Sequence, residues 1–152
     1  MAAPLDPATR PSRLSTAFLS VLVAALAMSF VTGAMIWWWQ TQQTPDAPAP
    51  AWFRPAVVLH GVLFPVQCSL FGWLAGQHLR LSWEMRANVV SGFAMEAVFL
   101  GLIVSGVGLY YAGAEAWRDF WIVSHRVLGL LLPATLAAHW IAAVRWARSV
   151  AK

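Results

Sequence analysis

Four long apolar stretches fill most of this chain, and they constrain its fold more than any other feature. They run over about residues 14–39, 55–79, 87–112 and 117–146. Each is long enough to cross the hydrocarbon core of a bilayer as a helix, which takes roughly 20 residues. The 152-residue chain is 60% hydrophobic and only 11% charged, a composition that few soluble domains could keep in water. The sequence therefore predicts an integral membrane protein.

The connections between these stretches predict how the helices are arranged. Residues 40–51, QTQQTPDAPAPA, form a loop rich in proline and alanine that is not expected to stay helical. The connections at residues 80–86 and 113–116 are short, and short connections make neighbouring helices antiparallel. We therefore predict an all-α fold in which residues 1–152 form one domain, an integral membrane four-helix up-and-down bundle.

The distribution of basic residues predicts the orientation of the bundle, because cytoplasmic loops are enriched in Lys and Arg. The side with both termini and the second connection carries seven of these residues: Arg10, Arg13, Arg80, Arg86, Arg145, Arg148 and Lys152. The opposite, outer side carries three: Arg54, Arg118 and Arg126. Both termini are therefore predicted to be cytoplasmic. Since the basic residues lie at helix ends and not in one patch, nucleic acid is not an expected partner.

Four histidines recur in the apolar stretches and are the candidate functional residues. His60 and His78 lie 18 residues apart in the second stretch, and His125 and His139 lie 14 apart in the fourth. Eighteen α-helical residues make five turns and 14 fall about 40° short of four, so each pair shares or nearly shares a face. A neutral imidazole in an apolar bundle is a good axial ligand of haem iron. Depth predicts an outer ligand pair, His60 with His125, and an inner ligand pair, His78 with His139.

The two pairs do not match equally well in depth. The histidines span about 27 Å on the second helix and about 21 Å on the fourth, at 1.5 Å per residue. A tilt or a kink near Pro65, Gly72 and Gly76 must absorb the difference of about 6 Å. For any one histidine near a helix end, the alternative is an interfacial residue that bonds to lipid or to the backbone.

Residues 125–146, HRVLGLLLPATLAAHWIAAVRW, resemble the last helix of bacterial cytochrome b561 and of the related cytochrome b subunits of hydrogenases and formate dehydrogenases. The shared pattern is a histidine, a glycine four residues later, a second histidine fourteen after the first, and then small residues. The matching residues are His125, Gly129, His139, Ala142 and Ala143. Arg13, the Thr32-Gly33 step and the Ser105-Gly106 step also resemble the family.

The resemblance implies that His60 and His125 hold the outer haem. For the inner haem, the family pairs the second histidine of the last helix with a histidine that opens the first helix. This chain departs from that pattern, because no histidine occurs in its first stretch, and Phe64 stands where the family has a glycine. Either His78 replaces the missing ligand of His139, or the inner haem is altered or absent.

Four further residues have two interpretations each. Gly129, one turn after His125, leaves space for a porphyrin ring or serves ordinary helix packing. Arg54 and Arg126 pair with haem propionates or only set the topology. Glu96 lies within the third stretch, where a carboxylate is costly unless it is protonated, paired or facing a cavity. It is either a proton acceptor for a quinol or a protonated structural carboxyl.

These features predict a b-type cytochrome of the respiratory type in the bacterial inner membrane, with one or two haems. It would relay electrons across the bilayer between the quinone pool and a partner, which is a cytochrome c, an iron–sulfur protein or a dehydrogenase subunit. As an enzyme it would act as the electron-transfer subunit of an oxidoreductase complex, with quinone oxidoreductase activity, or alone on a diffusible species such as superoxide at the outer haem. The lack of a CxxCH motif excludes ordinary c-type attachment. The alternatives are a non-catalytic anchor or assembly subunit with one or no haem, and a metal-ion transporter that uses the histidines and Glu96.

Overall fold

The computed structural model of the protein describes residues 14–44, 46–84 and 88–150, and these residues form helices and no strand. The helices are α1 (Thr16–Gln42), α2 (Phe53–Glu84), α3 (Val89–Tyr111) and α4 (Glu115–Val150). All four are long and apolar enough to cross a membrane. The predictions of an all-α chain and of four spanning helices are confirmed. Four residues used in the charge count, Arg10, Arg13, Arg86 and Lys152, lie outside the described residues.

Two helices extend further into the connections than predicted. Helix α1 continues to Gln42, and in its last turns the Thr41 hydroxyl donates to the Trp38 carbonyl at 2.7 Å. Helix α2 continues to Glu84, whose carboxylate accepts from Arg80 one turn earlier at 3.2 Å. The predicted loops over 40–51 and 80–86 are therefore too long. The first of these loops begins at Gln43, directly after α1.

Helix α2 is not α-helical throughout, since Ala75–Leu79 has π-helical hydrogen bonding. A π-helical turn takes more residues than an α-helical turn. The five-turn count that places His60 and His78 on one face therefore does not apply across this segment. The π-helical segment includes Gly76, one of the three residues near which the sequence predicts a tilt or a kink.

The chain divides into two compact units, Met1–Trp73 and Leu74–Lys152. In the first unit α1 and the first part of α2 are antiparallel, as the order of their contacts shows. Gln67 donates to the Ser29 hydroxyl at 2.6 Å, and the Phe18 and Trp73 rings lie 4.2 Å apart. At the other end of this pair, Trp38 and Trp39 each lie 6.4 Å from the Trp52 ring. The buried apolar residues of this unit are Leu22, Ala25, Leu26, Ala56 and Leu63.

In the second unit α3 and α4 pack along each other in antiparallel directions, joined by the short turn 112–114. Two glycines of α3 permit this close packing. A Cβ atom at Gly101 would lie 3.0 Å from Leu128, and one at Gly108 would collide with the Trp121 ring. Before α3, Asn88 has a φ of 52°, a left-handed conformation that asparagine tolerates better than most residues.

Candidate functional site

Three of the four histidines are hydrogen-bonded through Nδ1 to a hydroxyl group of a neighbouring helix in the same unit. The pairs and their distances are His60 with Thr32 at 3.0 Å, His125 with Ser105 at 2.9 Å, and His139 with Ser91 at 3.1 Å. All three histidines are half-buried. The neighbouring helix therefore restricts the rotation of each ring, as expected of an imidazole held ready to bind a ligand.

Each of these hydroxyl groups also contacts a backbone carbonyl of its own helix. The acceptors are Met28 for Thr32 at 2.7 Å, Asn88 for Ser91 at 3.1 Å, and Leu102 for Ser105 at 3.2 Å. A serine or threonine in a helix commonly bonds back to a carbonyl three or four residues earlier. These three hydroxyl groups differ from an ordinary helical hydroxyl because they also contact a histidine.

A glycine follows each of the three hydroxyl residues in the sequence. A Cβ atom at Gly33 would lie 3.0 Å from Cε1 of His60, and one at Gly92 would lie 3.7 Å from Cε1 of His139. Because the first distance is tighter than an ordinary van der Waals contact, Gly33 is needed for the His60 ring to lie where it does.

The predicted inner ligand pair lies together in the second unit. The ring centroids of His78 and His139 are 6.2 Å apart, with the planes at 87°. Two imidazole nitrogens on opposite sides of one metal ion, each at the usual distance of about 2 Å, put the ring centroids about 6 Å apart. Nδ1 of His78 is buried and has no hydrogen-bond partner among the described residues. The donor set, its spacing and this unsatisfied nitrogen fit one bis-histidine iron.

Comparisons with known proteins were made with protein-family models, with curated proteins and with solved structures. None of the three gives a match. The resemblance of residues 125–146 to the cytochrome b561 family therefore stays a prediction.

The predicted outer ligand pair is divided between the two units. His60 belongs to the first unit and His125 to the second. Each imidazole is held by its own hydroxyl partner within its unit. The pairing of these two histidines around one iron stays a prediction.

The other predicted site residues lie in different environments. A Cβ atom at Gly129 would meet nothing within 4 Å among the described residues. Arg54 is exposed and Arg126 is half-buried. Glu96 on α3 is half-buried, and its Oε2 atom is buried without a hydrogen-bond partner in the described part of the chain. Their roles in binding haem or moving protons stay predictions.

A metal-ion site built from protein side chains alone has no support in the described ranges. They contain no group of three or more histidine, cysteine or acidic residues placed to hold an ion. Two histidines suffice for haem, because the porphyrin supplies the remaining ligands of the iron.

Sequence patterns missed the hydroxyl groups that hold the histidines. No sequence pattern predicts a role for Ser91, and only the family resemblance involves Thr32 and Ser105. A signal was nevertheless present, since Thr32-Gly33, Ser91-Gly92 and Ser105-Gly106 are the three Ser/Thr-Gly dipeptides of the whole sequence. All three lie in apolar helices and supply the hydroxyl that contacts a histidine.

Proposed function

We propose that this protein is a membrane b-type cytochrome. It relays electrons across the bilayer between a redox partner protein and the quinone pool, through one or two haems that are each held by two histidines. The observation that carries the proposal is the juxtaposition of His78 and His139, with ring centroids 6.2 Å apart in a helix bundle of spanning length. A bis-histidine haem supplies one-electron transfer with no open coordination position.

The chain's own residues would bind the haem as follows. His78 and His139 are the ligands of the inner site, and His60 and His125 are the proposed ligands of the outer site. The open space beside Gly129, one turn after His125, supports a role in accommodating a flat ring against α4. The guanidinium groups of Arg54 and Arg126 can pair with carboxylates such as haem propionates.

Glu96 is proposed to accept a proton from a quinol. Quinol oxidation releases protons as well as electrons, so a carboxylate near the reacting quinone can take up a proton inside the bilayer. The buried Oε2 atom, which has no hydrogen-bond partner among the described residues, supports this role. An ionisable side chain inside a membrane raises the free energy of the folded protein, so such residues usually have a function.

The proposal also covers the partner and the location of the protein. The helices that could span a membrane indicate contact with lipid, and we propose the bacterial inner membrane with both termini in the cytoplasm. The electron partner is proposed to be a cytochrome c, an iron–sulfur protein or a dehydrogenase subunit. Fusions of alkaline phosphatase and of green fluorescent protein to the C-terminus test the orientation, since the proposal requires fluorescence without phosphatase activity.

A reduced-minus-oxidised absorption spectrum of the purified, detergent-solubilised protein tests the function. We expect a b-type α-band and a Soret band, and the pyridine haemochrome assay then gives the number of haems per chain. A variant in which His60, His78, His125 and His139 are all replaced by alanine is the control for adventitious haem. The absence of a Soret band from the parent protein would contradict the proposal and favour a non-catalytic anchor or assembly subunit.

A further inference from the structure

We infer that the three hydroxyl–histidine hydrogen bonds fix the tautomer of each imidazole, with the proton on Nδ1 and the lone pair on Nε2. The hydroxyl residues are Thr32, Ser91 and Ser105, and their partners are His60, His139 and His125 in the same order. Their function as positioning residues rests on the proposed haem binding, whereas the tautomer itself does not.

The direction of each hydrogen bond follows from the group that receives the hydroxyl proton. A hydroxyl group has one proton to donate and two lone pairs that accept, and a neutral imidazole has one N–H group. The Thr32 hydroxyl lies 2.7 Å from the Met28 carbonyl, which can only accept. With the hydroxyl proton directed to this carbonyl, the oxygen accepts from Nδ1–H of His60. The same argument applies to the Ser91 and Ser105 hydroxyl groups. They donate to the Asn88 and Leu102 carbonyls and therefore accept from Nδ1–H of their histidines.

The arrangement is specific to the three Ser/Thr-Gly dipeptides. Two other hydroxyl groups in the helices bond to backbone carbonyls of their own helix. The Ser69 hydroxyl donates to the Pro65 carbonyl, and the Thr135 hydroxyl contacts the Leu131 and Leu132 carbonyls. No histidine is among the hydrogen-bond partners described for Ser69 or Thr135. These two residues therefore serve as matched controls for the loss of a hydroxyl group.

The tautomer matters because iron binds the nitrogen that has no proton. A metal-binding histidine usually donates its other ring N–H to an acceptor, which fixes the ring orientation and raises the basicity of the ligating nitrogen. Thr32, Ser91 and Ser105 are placed to be those acceptors. Loss of such an acceptor typically lowers metal affinity by about 10- to 100-fold.

The first experiment uses the haem-free, full-length protein labelled with ¹⁵N-histidine in detergent micelles, at a pH well above the imidazole titration range. The ¹⁵N shifts of protonated and unprotonated ring nitrogens differ, and single histidine-to-alanine variants assign the four residues. We expect protonated Nδ1 at His60, His125 and His139. Ser91→Ala should convert only His139 to a mixture of tautomers, and Ser91→Thr should restore the single form.

The control variants Ser69→Ala and Thr135→Val should leave all four histidine spectra unchanged. If Nε2 is the protonated atom at these three histidines in the parent protein, the inference is overturned. It is also overturned if Ser91→Ala leaves the His139 tautomer as it was. If the alanine variant does not fold, the spectrum of the parent protein still decides, because protonated Nε2 at these histidines overturns the inference.

A haem titration tests the positioning role separately. We expect Ser91→Ala to weaken haem binding at the inner site by about tenfold or more, and Ser91→Thr to restore it. Unchanged affinity in a variant that has lost the Nδ1–H tautomer would overturn the positioning role. If the tautomers are as inferred but the parent protein binds no haem, the proposed function fails while the tautomer assignment stands.

Discussion

The imidazole rings of His78 and His139 lie 6.2 Å apart, with their planes at 87°. The two rings are held differently. His139 is fixed through Nδ1 by Ser91, whereas Nδ1 of His78 is buried without a partner among the described residues. A buried polar atom without a hydrogen bond is costly. His78 also lies in the π-helical segment Ala75–Leu79, a feature that occurs often at functional sites in helices.

Replacement of His78 by alanine tests whether this residue is a ligand. If the parent protein holds two haems per chain, we expect one haem in His78→Ala, one in His139→Ala, and one in the double variant. The pyridine haemochrome assay on purified protein measures this ratio. Gln77→Ala is the control, because Gln77 is exposed and lies in the same π-helical segment. Two haems in His78→Ala would show that another residue completes the inner site.

Replacement of Gly33 by alanine tests the packing of His60. The added Cβ atom would lie 3.0 Å from Cε1 of His60, so the ring must move by a few tenths of an ångström and strain its bond to Thr32. Overpacking of this kind costs about 1–3 kcal/mol. We therefore expect a lower melting temperature by circular dichroism and weaker haem binding. Gly72→Ala is the control in the same unit, since a Cβ atom there meets nothing within 4 Å. An equal effect of both variants would exclude a specific role for Gly33.

The sequence determines the helices much better than the site. Apolar length alone predicts a spanning helix, so the sequence predicts all four helices. It does not predict that α1 continues to Gln42 and α2 to Glu84, because these ends are polar. The π-helical segment was not predictable, because it depends on packing and not on local composition. The hydroxyl partners of the histidines were missed for a related reason. Ser91 and His139 are 48 residues apart in the chain, and only the register between two helices brings them together.

Replacement of Gly108 by alanine tests the close packing of α3 against α4. The new Cβ atom would collide with atoms at the base of the Trp121 ring, which cannot move away without separating the two helices. We expect the free energy of unfolding to fall by about 1–3 kcal/mol. The emission maximum of tryptophan fluorescence should also shift, because the surroundings of the Trp121 ring change. Gly101→Ala should cost less, because its Cβ atom meets only the flexible end of Leu128. Gly113→Ala meets nothing within 4 Å and should be neutral, so a different order of the three variants would contradict the packing of this unit.

Replacement of Glu96 by glutamine separates a proton-accepting carboxyl from a structural one. Glutamine keeps the shape of the side chain but cannot accept a proton from a quinol. We expect haem reduction by an added quinol to slow roughly 10²-fold, because loss of a group that accepts a proton typically slows a reaction by at least about that factor. The absorption spectrum and the haem content should not change, because Glu96 is not a proposed ligand.

The matched control for Glu96→Gln is Glu84→Gln. Glu84 is exposed and pairs with Arg80 across one helical turn, an interaction worth about 0–1 kcal/mol. Stopped-flow reduction of both variants gives the comparison directly. If Glu96→Gln is reduced by quinol as fast as the parent protein, Glu96 is a structural carboxyl. In that case Glu96→Gln should change the melting temperature little, because an amide, like a protonated carboxyl, is neutral inside the bilayer.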